Sequence, residues 1–204
     1  MPTTITMTLV LVAITVAISI AGFNNRNVIE SLIFSPLAVL RNRDWHRLVT
    51  YGFIHADGTH LLFNMVTLFF FGPQVEAAMV PRIGSAGYIL FYLAALVCSI
   101  LPSMWRHRND AQWLSLGASG AVTAVLFAFI LLRPWATIVV FVVPMPAILY
   151  AVMYVAYTIW ADRRQRDRVN HSAHLWGAAF GVLFMVALQP RIVPAFLDAL
   201  AHPR

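Results

Sequence analysis

Six apolar runs, separated by charged and polar segments, restrict the architectures that this chain can adopt. They lie near residues 4–22, 59–75, 84–103, 113–132, 135–160 and 172–189. Most of them approach the roughly 20 apolar residues that a helix needs to cross a bilayer. Helices satisfy their own backbone hydrogen bonds in lipid, and the sequence lacks the alternating segments of about 10 residues that mark a transmembrane barrel. The pattern predicts an all-α membrane protein with six transmembrane helices.

The composition and charge agree with this prediction. Hydrophobic residues make up 60% of the 204 residues and charged residues only 11%, whereas soluble domains carry about 25% charged residues. All 14 basic residues are arginines and give a net charge of +6. They lie in short segments between the apolar runs, where they suit lipid headgroups better than nucleic acid. We expect one domain over residues 1–204, embedded in the lipid bilayer and without a nucleic-acid partner.

The segments outside the regular runs carry further expectations. The N-terminal run lacks the positive region of a secretory signal and is expected to remain as the first helix. A long first loop, at about 23–58, contains the apolar stretch "VIESLIFSPLAVL", which is too short to span and should lie in the interface or pack on the bundle. In the fifth run, the two prolines of "VPMP" would kink a helix or mark its start. The single cysteine, Cys98, excludes an internal disulfide.

Three polar residues begin alternate apolar runs. His60 lies at the start of the second run, Ser119 near the start of the fourth and His174 near the start of the sixth. Alternate transmembrane helices start on the same side of the membrane, whatever the absolute orientation. The sequence therefore predicts that these three side chains lie at similar depth on one face.

Each of these residues also has an interpretation that involves no chemistry. Asn64 lies one helical turn after His60, and both side chains could simply bond to neighbouring helices inside the bundle. Ser119 in "LGASGAV" and the glycines Gly177 and Gly181 fit the small-residue patterns that let membrane helices pack closely. Close packing of the fourth and sixth helices would, however, also bring Ser119 against His174.

Together these residues suit nucleophilic catalysis. A serine nucleophile needs a base within hydrogen-bonding reach, and His174 can take its proton. Ser119 lies near a helix N-terminus, where backbone N–H groups favour negative charge. His60 and Asn64 can donate further hydrogen bonds to an oxyanion. Since no acidic residue lies nearby in the apolar runs, the arrangement predicts a Ser–His dyad.

The segments "WHRLVTYGFIHADGTHLLFNM", "GASGAV" and "NHSAHLWGAAFG", in this order and spacing, resemble the rhomboid intramembrane serine proteases over nearly the whole chain. The resemblance implies a rhomboid-like bundle of six transmembrane helices, with Ser119 as nucleophile and His174 as general base. It implies an oxyanion hole made of His60, Asn64 and the Ser119 backbone N–H. The substrates would be transmembrane proteins, cut in or near a helix, and no cofactor is expected because the chemistry needs only water.

The resemblance also implies structural roles and shows two departures from the family pattern. Arg47 and His55 match positions that shape the first loop, and Glu76 matches a structural acid. Thr123 stands one turn after Ser119, where some members carry an aromatic residue that packs under the histidine. His46 separates Trp45 from Arg47, whereas several relatives have tryptophan next to arginine. The first loop and the fifth run, with the arginine-rich loop after it, are expected to admit the substrate.

The family orientation conflicts with the distribution of arginines. The resemblance implies a bacterial inner-membrane protein with its N-terminus in the cytoplasm and its active site toward the extracytoplasmic side. Ten arginines would then face outward: Arg26, Arg41, Arg43, Arg47, Arg106, Arg108, Arg163, Arg164, Arg166 and Arg168. Four would face inward: Arg82, Arg133, Arg191 and Arg204. This is opposite to the positive-inside rule.

Alternative functions are weighed on the same residues. His55, His60, His171 and His174 could supply imidazoles to a metal or haem, but no cysteine or carboxylate completes a familiar spacing and H-E-x-x-H is absent. We therefore expect no metal. A transporter would show paired broken helices in two matching halves, which the sequence lacks. A non-proteolytic rhomboid-like protein that binds membrane helices remains the alternative, although it would have little need for both Ser119 and His174.

Overall fold

The computed structural model describes residues 6–140, 142–164 and 169–202. Within these residues the chain forms nine α-helices, one short 3₁₀ helix and one two-stranded sheet. In chain order the elements are α1 Met7–Asn24, α2 Arg26–Leu32, α3 Pro36–Asn42, α4 Arg47–Thr50, the 3₁₀ helix Tyr51–Phe53, α5 Gly58–Arg106, α6 Ser119–Leu132, β1 Thr137–Val140, β2 Val143–Pro146, α7 Ala147–Arg164, α8 His171–Leu188 and α9 Ile192–Ala201.

The segment α5 consists of two helical arms, because the chain reverses at Gly84. Each arm corresponds to one predicted apolar run. Gly84 has φ 68° and ψ 173°, a backbone conformation that glycine adopts without strain. The Tyr88 hydroxyl lies 3.4 Å from the Gly72 carbonyl oxygen, although a straight helix would separate these residues by about 24 Å. The two arms, 58–83 and 85–106, are therefore antiparallel and correspond to the second and third predicted spans.

The first helix is attached to this pair by a buried carboxylate. Glu76 accepts hydrogen bonds from the backbone N–H groups of Met7, at 2.7 Å, and Thr8, at 2.9 Å, and from the Thr8 hydroxyl, at 2.7 Å. The first N–H groups of a helix have no acceptor within that helix. Glu76 therefore supplies these acceptors from α5 and holds the start of α1 against the bundle.

The fourth predicted span, 113–132, is too long at its start. Helix α6 begins only at Ser119, because Gly117 has φ 113° and the preceding chain is extended. In that extended segment Ser115 pairs with Phe34 of the first loop through backbone hydrogen bonds of 3.0 and 3.1 Å. From Gly120 to Leu131 every residue of α6 is buried, so this helix forms the centre of the bundle.

The fifth predicted span, 135–160, is wrong over its first third. Strands β1 and β2 pair antiparallel there, with Thr137 opposite Pro146, and the helix α7 starts at Ala147. Pro144 and Pro146 lack the N–H that a hydrogen bond in a helix interior needs, which disfavours a helix there, and α7 starts directly after Pro146. The arginine-rich loop that follows α7 lies partly outside the described residues, which include neither Arg166 nor Arg168.

The first loop folds onto the bundle. Its apolar stretch buries Phe34 and Val39 completely. Arg47 donates to the carbonyl oxygens of Glu30 and Ile33, at 2.8 and 2.7 Å, and pairs with Asp44 at 3.1 Å. These bonds tie together α2, the turn after it and α4.

The fold class is confirmed as an all-α membrane bundle that carries one small hairpin. Among the described residues, three helices are long and apolar enough to cross a membrane: Met7–Asn24, Gly58–Arg106 and His171–Leu188. Ser119–Leu132 is a shorter apolar helix, and the last turn of α7 carries Asp162, Arg163 and Arg164. Helices α1, α6, α7 and α8 and the two arms of α5 occupy the six predicted runs.

Candidate active site

The first loop holds the backbone that leads into Ser119. The Gly117 N–H donates to the Tyr51 carbonyl oxygen at 2.9 Å, and the Ala118 N–H donates to His55 Nε2 at 3.3 Å. Ser119 follows as the first residue of α6. The cap residue Ala118 offers no side-chain acceptor to the helix among the described contacts. The first N–H groups of α6 therefore point out of the helix end, where they can meet a ligand.

Helices α6 and α8 pack backbone against backbone. A Cβ placed on Gly177 would overlap the Gly120 carbonyl, and a Cβ placed on Gly181 would overlap the Ala124 carbonyl. The close approach predicted from these small residues is confirmed. It brings the starts of the two helices within reach of each other.

At that point Ser119 and His174 form a hydrogen bond. The Ser119 Oγ lies 2.8 Å from His174 Nε2, and both residues are partly exposed. When Nε2 accepts the serine proton, the imidazole carries its own proton on Nδ1. This is the geometry that a serine nucleophile and its general base require.

Asn170 links the segments that carry this pair, and the sequence reasoning missed it. Its Oδ1 caps α8 by accepting from the Ala173 N–H at 3.1 Å and also accepts from the Ser103 hydroxyl at 2.9 Å. Its Nδ2 donates to the Ser115 hydroxyl at 3.4 Å. Asn170 thereby joins the end of α5, the chain before α6 and the start of α8. An asparagine directly before an apolar run is a usual helix-cap signal, which could have indicated this residue.

His60 and Asn64 lie at the start of α5, beside the same segment. The His60 ring packs on Gly117, where a Cβ would approach its Cε1 atom to 2.6 Å. Asn64 Nδ2 donates to the His60 carbonyl oxygen at 2.9 Å and lines a cavity together with Ser119. An amide nitrogen carries two hydrogens, so one donor of Asn64 remains for another acceptor.

His55 lies behind His60 as a buried, neutral ring. Its Nε2 accepts the Ala118 N–H, so its proton is on Nδ1 and donates to Ser19 Oγ at 3.0 Å. Ser19 in turn donates to the Phe53 carbonyl oxygen at 3.0 Å. Burial lowers the pKa of His55 to about 3, and the neighbouring His60 adds to this effect. A neutral His55 ring with its proton on Nδ1 can accept the hydrogen bond from the Ala118 N–H, directly before Ser119.

The four histidines do not gather around one point. The His55 and His60 rings are 4.8 Å apart, and the His171 and His174 rings form a separate pair at 5.9 Å. Within residues 6–140, 142–164 and 169–202, no three side chains of His, Cys, Asp or Glu are grouped as metal ligands.

Two cavities lie near the pair. One of about 140 Å³ opens at Ser119, between the first arm of α5 and α7, and is lined also by Phe63, Val122 and Tyr150. A larger polar one of about 630 Å³ lies between the ends of α5 and α7 and the start of α8. Its described lining includes His171 but not Ser119.

A tyrosine of α7 completes the surroundings of His174, and the sequence reasoning missed it. The Tyr154 ring stacks on the His174 ring with centroids 6.3 Å apart and planes inclined by 20°. Its hydroxyl lies 3.1 Å from Thr123 Oγ1. The spacing of Tyr150, Tyr154 and Tyr157 on one helical face could have indicated an aromatic stripe toward α8.

A comparison with models of protein families identifies the family of this chain. The model of the rhomboid domain matches residues 42–191, which is most of the chain. The chain belongs to the rhomboid family.

Several rhomboid relatives resemble this chain. It is 30% identical over 173 residues to RHOMBOID-like protein 12, mitochondrial, of Arabidopsis thaliana, covering 79% of this chain and 51% of that protein. It is 31% identical over 138 residues to Rhomboid protein 1, mitochondrial, of Saccharomyces cerevisiae, covering 65% and 38%. It is 26% identical over 162 residues to the rhomboid protease AarA of Providencia stuartii, covering 71% and 56%. The chain thus spans between about two fifths and a little over half of the length of these relatives.

The two departures from the rhomboid pattern have distinct surroundings. Thr123 is buried and bonds to Tyr154, as described above. His46 is exposed and its Nε2 lies 3.2 Å from the Ser31 carbonyl oxygen, in the same loop that Arg47 ties together. The inserted histidine therefore lies at the surface of the first loop, whereas Thr123 lies at the candidate active site of this rhomboid.

Proposed function

We propose that this rhomboid is an intramembrane serine endopeptidase, which hydrolyses peptide bonds in or near the transmembrane helices of membrane proteins. The observation that carries the proposal is the 2.8 Å hydrogen bond between Ser119 Oγ and His174 Nε2. Its support is the position of Ser119 at a helix N-terminus in a chain of the rhomboid family.

The reaction would proceed in two stages. Ser119 Oγ attacks the carbonyl carbon of the scissile bond while its proton passes to His174 Nε2. The same Nε2 then gives that proton to the leaving amine, and an acyl-enzyme on Ser119 remains. A water molecule, deprotonated by His174 Nε2, attacks the ester carbon; the bond to Ser119 Oγ then breaks, His174 returns the proton to Oγ, and the carboxylic acid product leaves.

We propose that three donors stabilise the negative charge on the carbonyl oxygen. The Ser119 N–H at the end of α6, the His60 ring and the second N–H of Asn64 are the proposed donors. One such donor contributes roughly 2.7–4 kcal/mol to the transition state in acyl-transfer enzymes. The His60 ring packs on Gly117, two residues before Ser119 in the chain.

The proposed route for the substrate is the cleft between the first arm of α5 and α7. The 140 Å³ cavity at Ser119 opens there, and Phe63 in its lining is 51% exposed. A cavity of this size accepts a small side chain but not a helix, so a transmembrane substrate must be extended locally to reach Ser119.

The chain is an integral membrane protein, and we propose the orientation implied by its family. In it the N-terminus is cytoplasmic and the dyad faces the extracytoplasmic side of a bacterial inner membrane. The relatives named above are two mitochondrial proteins and one bacterial protein.

Cleavage of a model single-span substrate in liposomes tests the proposed function. The parent chain should cleave it, and Ser119→Ala and His174→Ala should each lower kcat by more than about 10³-fold, because nucleophile and base act as a unit. Matched controls are Ser85→Ala and His202→Ala at exposed positions, which should keep the parent rate. All variants are checked for folding by circular dichroism and gel filtration.

The outcomes separate the two functions. Cleavage that survives Ser119→Ala would refute the dyad. A folded parent that binds the transmembrane peptide with measurable affinity but cuts none of several substrates would instead support the non-proteolytic alternative.

A further inference from the structure

Helix α7 presents a stripe of tyrosines to the helix that carries His174. Tyr150, Tyr154 and Tyr157 are spaced by four and three residues, which places them on one face. Tyr154 stacks on His174 at 6.3 Å, and Tyr157 meets His171 edge-on at 5.8 Å. The contact between α7 and the start of α8 therefore includes two pairs of an aromatic ring and an imidazole.

Tyr154 also contacts α6. Its hydroxyl bonds to Thr123 Oγ1 of α6 at 3.1 Å, and its ring packs on Phe127, one turn further along α6, with centroids 5.8 Å apart. Thr123 is only 5% exposed, and the bond lies at the wall of the 140 Å³ cavity that also contains Ser119. One side chain of α7 thus contacts α6, which carries Ser119, and α8, which carries His174.

We propose that Tyr154 is a positioning residue for His174, so that the Ser119–His174 bond depends on α7 being seated against α6 and α8. This inference rests on the proposed function. One turn after Ser119 stands Thr123, whose short side chain bonds to the Tyr154 hydroxyl, and the ring that packs against His174 belongs to α7. Because a displacement of about 1 Å at a reacting group can lower a rate about 10²-fold, orienting the imidazole matters for the rate.

A set of variants separates the ring from its hydroxyl. Tyr154→Leu removes the stacked ring and should lower kcat by about 2- to 13-fold, the range expected for one aromatic pair, with little change in KM. Tyr154→Phe keeps the ring and Thr123→Val keeps its shape, but both lose the same hydrogen bond. Their effects on kcat should therefore agree within about twofold, and the double variant should be no worse than either.

A matched control and a rescue separate positioning from general destabilisation. Tyr157→Leu makes the same change one turn along the same face, where the ring touches His171, and should lower kcat clearly less than Tyr154→Leu. The exchange Thr123→Tyr with Tyr154→Ala moves the ring from α7 to α6. It should recover part of the kcat that Tyr154→Ala alone loses.

A spectroscopic readout tests the contact directly. The Cε1–H resonance of His174, assigned by comparison with His174→Ala, should move in Tyr154→Leu because the ring current of Tyr154 is lost. It should stay close to its parent position in Tyr154→Phe, which keeps a ring.

The results separate failure of this inference from failure of the proposed function. If the parent cleaves and Tyr154→Leu keeps both the parent kcat and the parent His174 resonance, the inference is refuted while the protease remains. If the parent neither cleaves nor reacts with a fluorophosphonate at Ser119, the proposed function is refuted, and the role of Tyr154 in it falls as well.

Discussion

Replacing Gly177 by alanine tests whether the contact between α6 and α8 sets the geometry of the candidate dyad. A Cβ at this position would lie 2.9 Å from the Gly120 carbonyl carbon and 3.2 Å from its Cα. Carbon atoms in contact are ordinarily about 3.5–4.0 Å apart. Since the obstacle is backbone and not the end of a flexible side chain, α8 must move away from α6 by roughly 0.6–1.1 Å.

That displacement is large compared with the tolerance of the site. Gly177 lies one turn beyond His174 on the same helix, so the 2.8 Å bond to Ser119 would lengthen to roughly 3.4–3.9 Å, past the usual limit of about 3.2 Å. We expect kcat to fall by about 10²-fold, as for other misplacements of about 1 Å. Overpacking should lower the free energy of unfolding by about 1–3 kcal/mol.

The assay compares cleavage rate and thermal unfolding of Gly177→Ala with those of a matched glycine variant. Gly58→Ala makes the same chemical change at a helical position where a Cβ meets nothing within 4 Å, and it should stay within about 0.5 kcal/mol of the parent. If Gly177→Ala keeps the parent kcat and unfolds together with Gly58→Ala, the two helices are not held at the distance described here.

Two further predictions concern pH and orientation. The pKa of His55 is about 3 in the folded chain and about 6.5 in the unfolded chain. Between these two pH values the unfolded chain therefore binds more protons than the folded chain. The contribution of His55 to the free energy of unfolding should be complete above about pH 6.5 and should fall as the pH is lowered toward 3. Unfolding followed at pH 7, 5.5 and 4 should show this decline in the parent and a much flatter one in His55→Gln, and equal slopes would contradict it. For orientation, exposed Asn109→Cys and Ser85→Cys, each in a Cys98→Ser background, lie at opposite ends of the second arm of α5. A membrane-impermeant maleimide added to intact bacterial cells should label the first and not the second, and the reverse labelling would invert the proposed orientation.

Hydropathy alone was sufficient to place six helical segments along the chain, because each apolar run must be buried in lipid or protein. It was insufficient where an apolar segment is not helical. Residues 113–118 and the strands Thr137–Val140 and Val143–Pro146 fall inside predicted apolar runs, yet the first segment pairs with Phe34 and the two strands form a hairpin. Gly117 and the prolines of "VPMP" are the local signals for these interruptions, and the positive φ of Gly117 becomes evident only in the folded chain.

Some features of the candidate site could likewise be predicted from the sequence. Counting alternate spans is enough to put His60, Ser119 and His174 on one face, since a helix that crosses the membrane reverses the side on which the next begins. The small residues Gly177 and Gly181 also indicate a close contact, because only glycine leaves room for a neighbouring carbonyl.

The sequence by itself thus determined the class of protein, the helices that carry the reactive residues and the family to which the chain belongs. The tertiary structure decided the 2.8 Å separation of Ser119 and His174, the hold of His55 on the backbone at Ala118 and the placement of Tyr154 against His174. The physical reason is that hydropathy and helical periodicity depend on neighbours within a few residues. These three contacts instead join residues 55, 63 and 20 positions apart in the chain, and their distances follow from how whole helices pack.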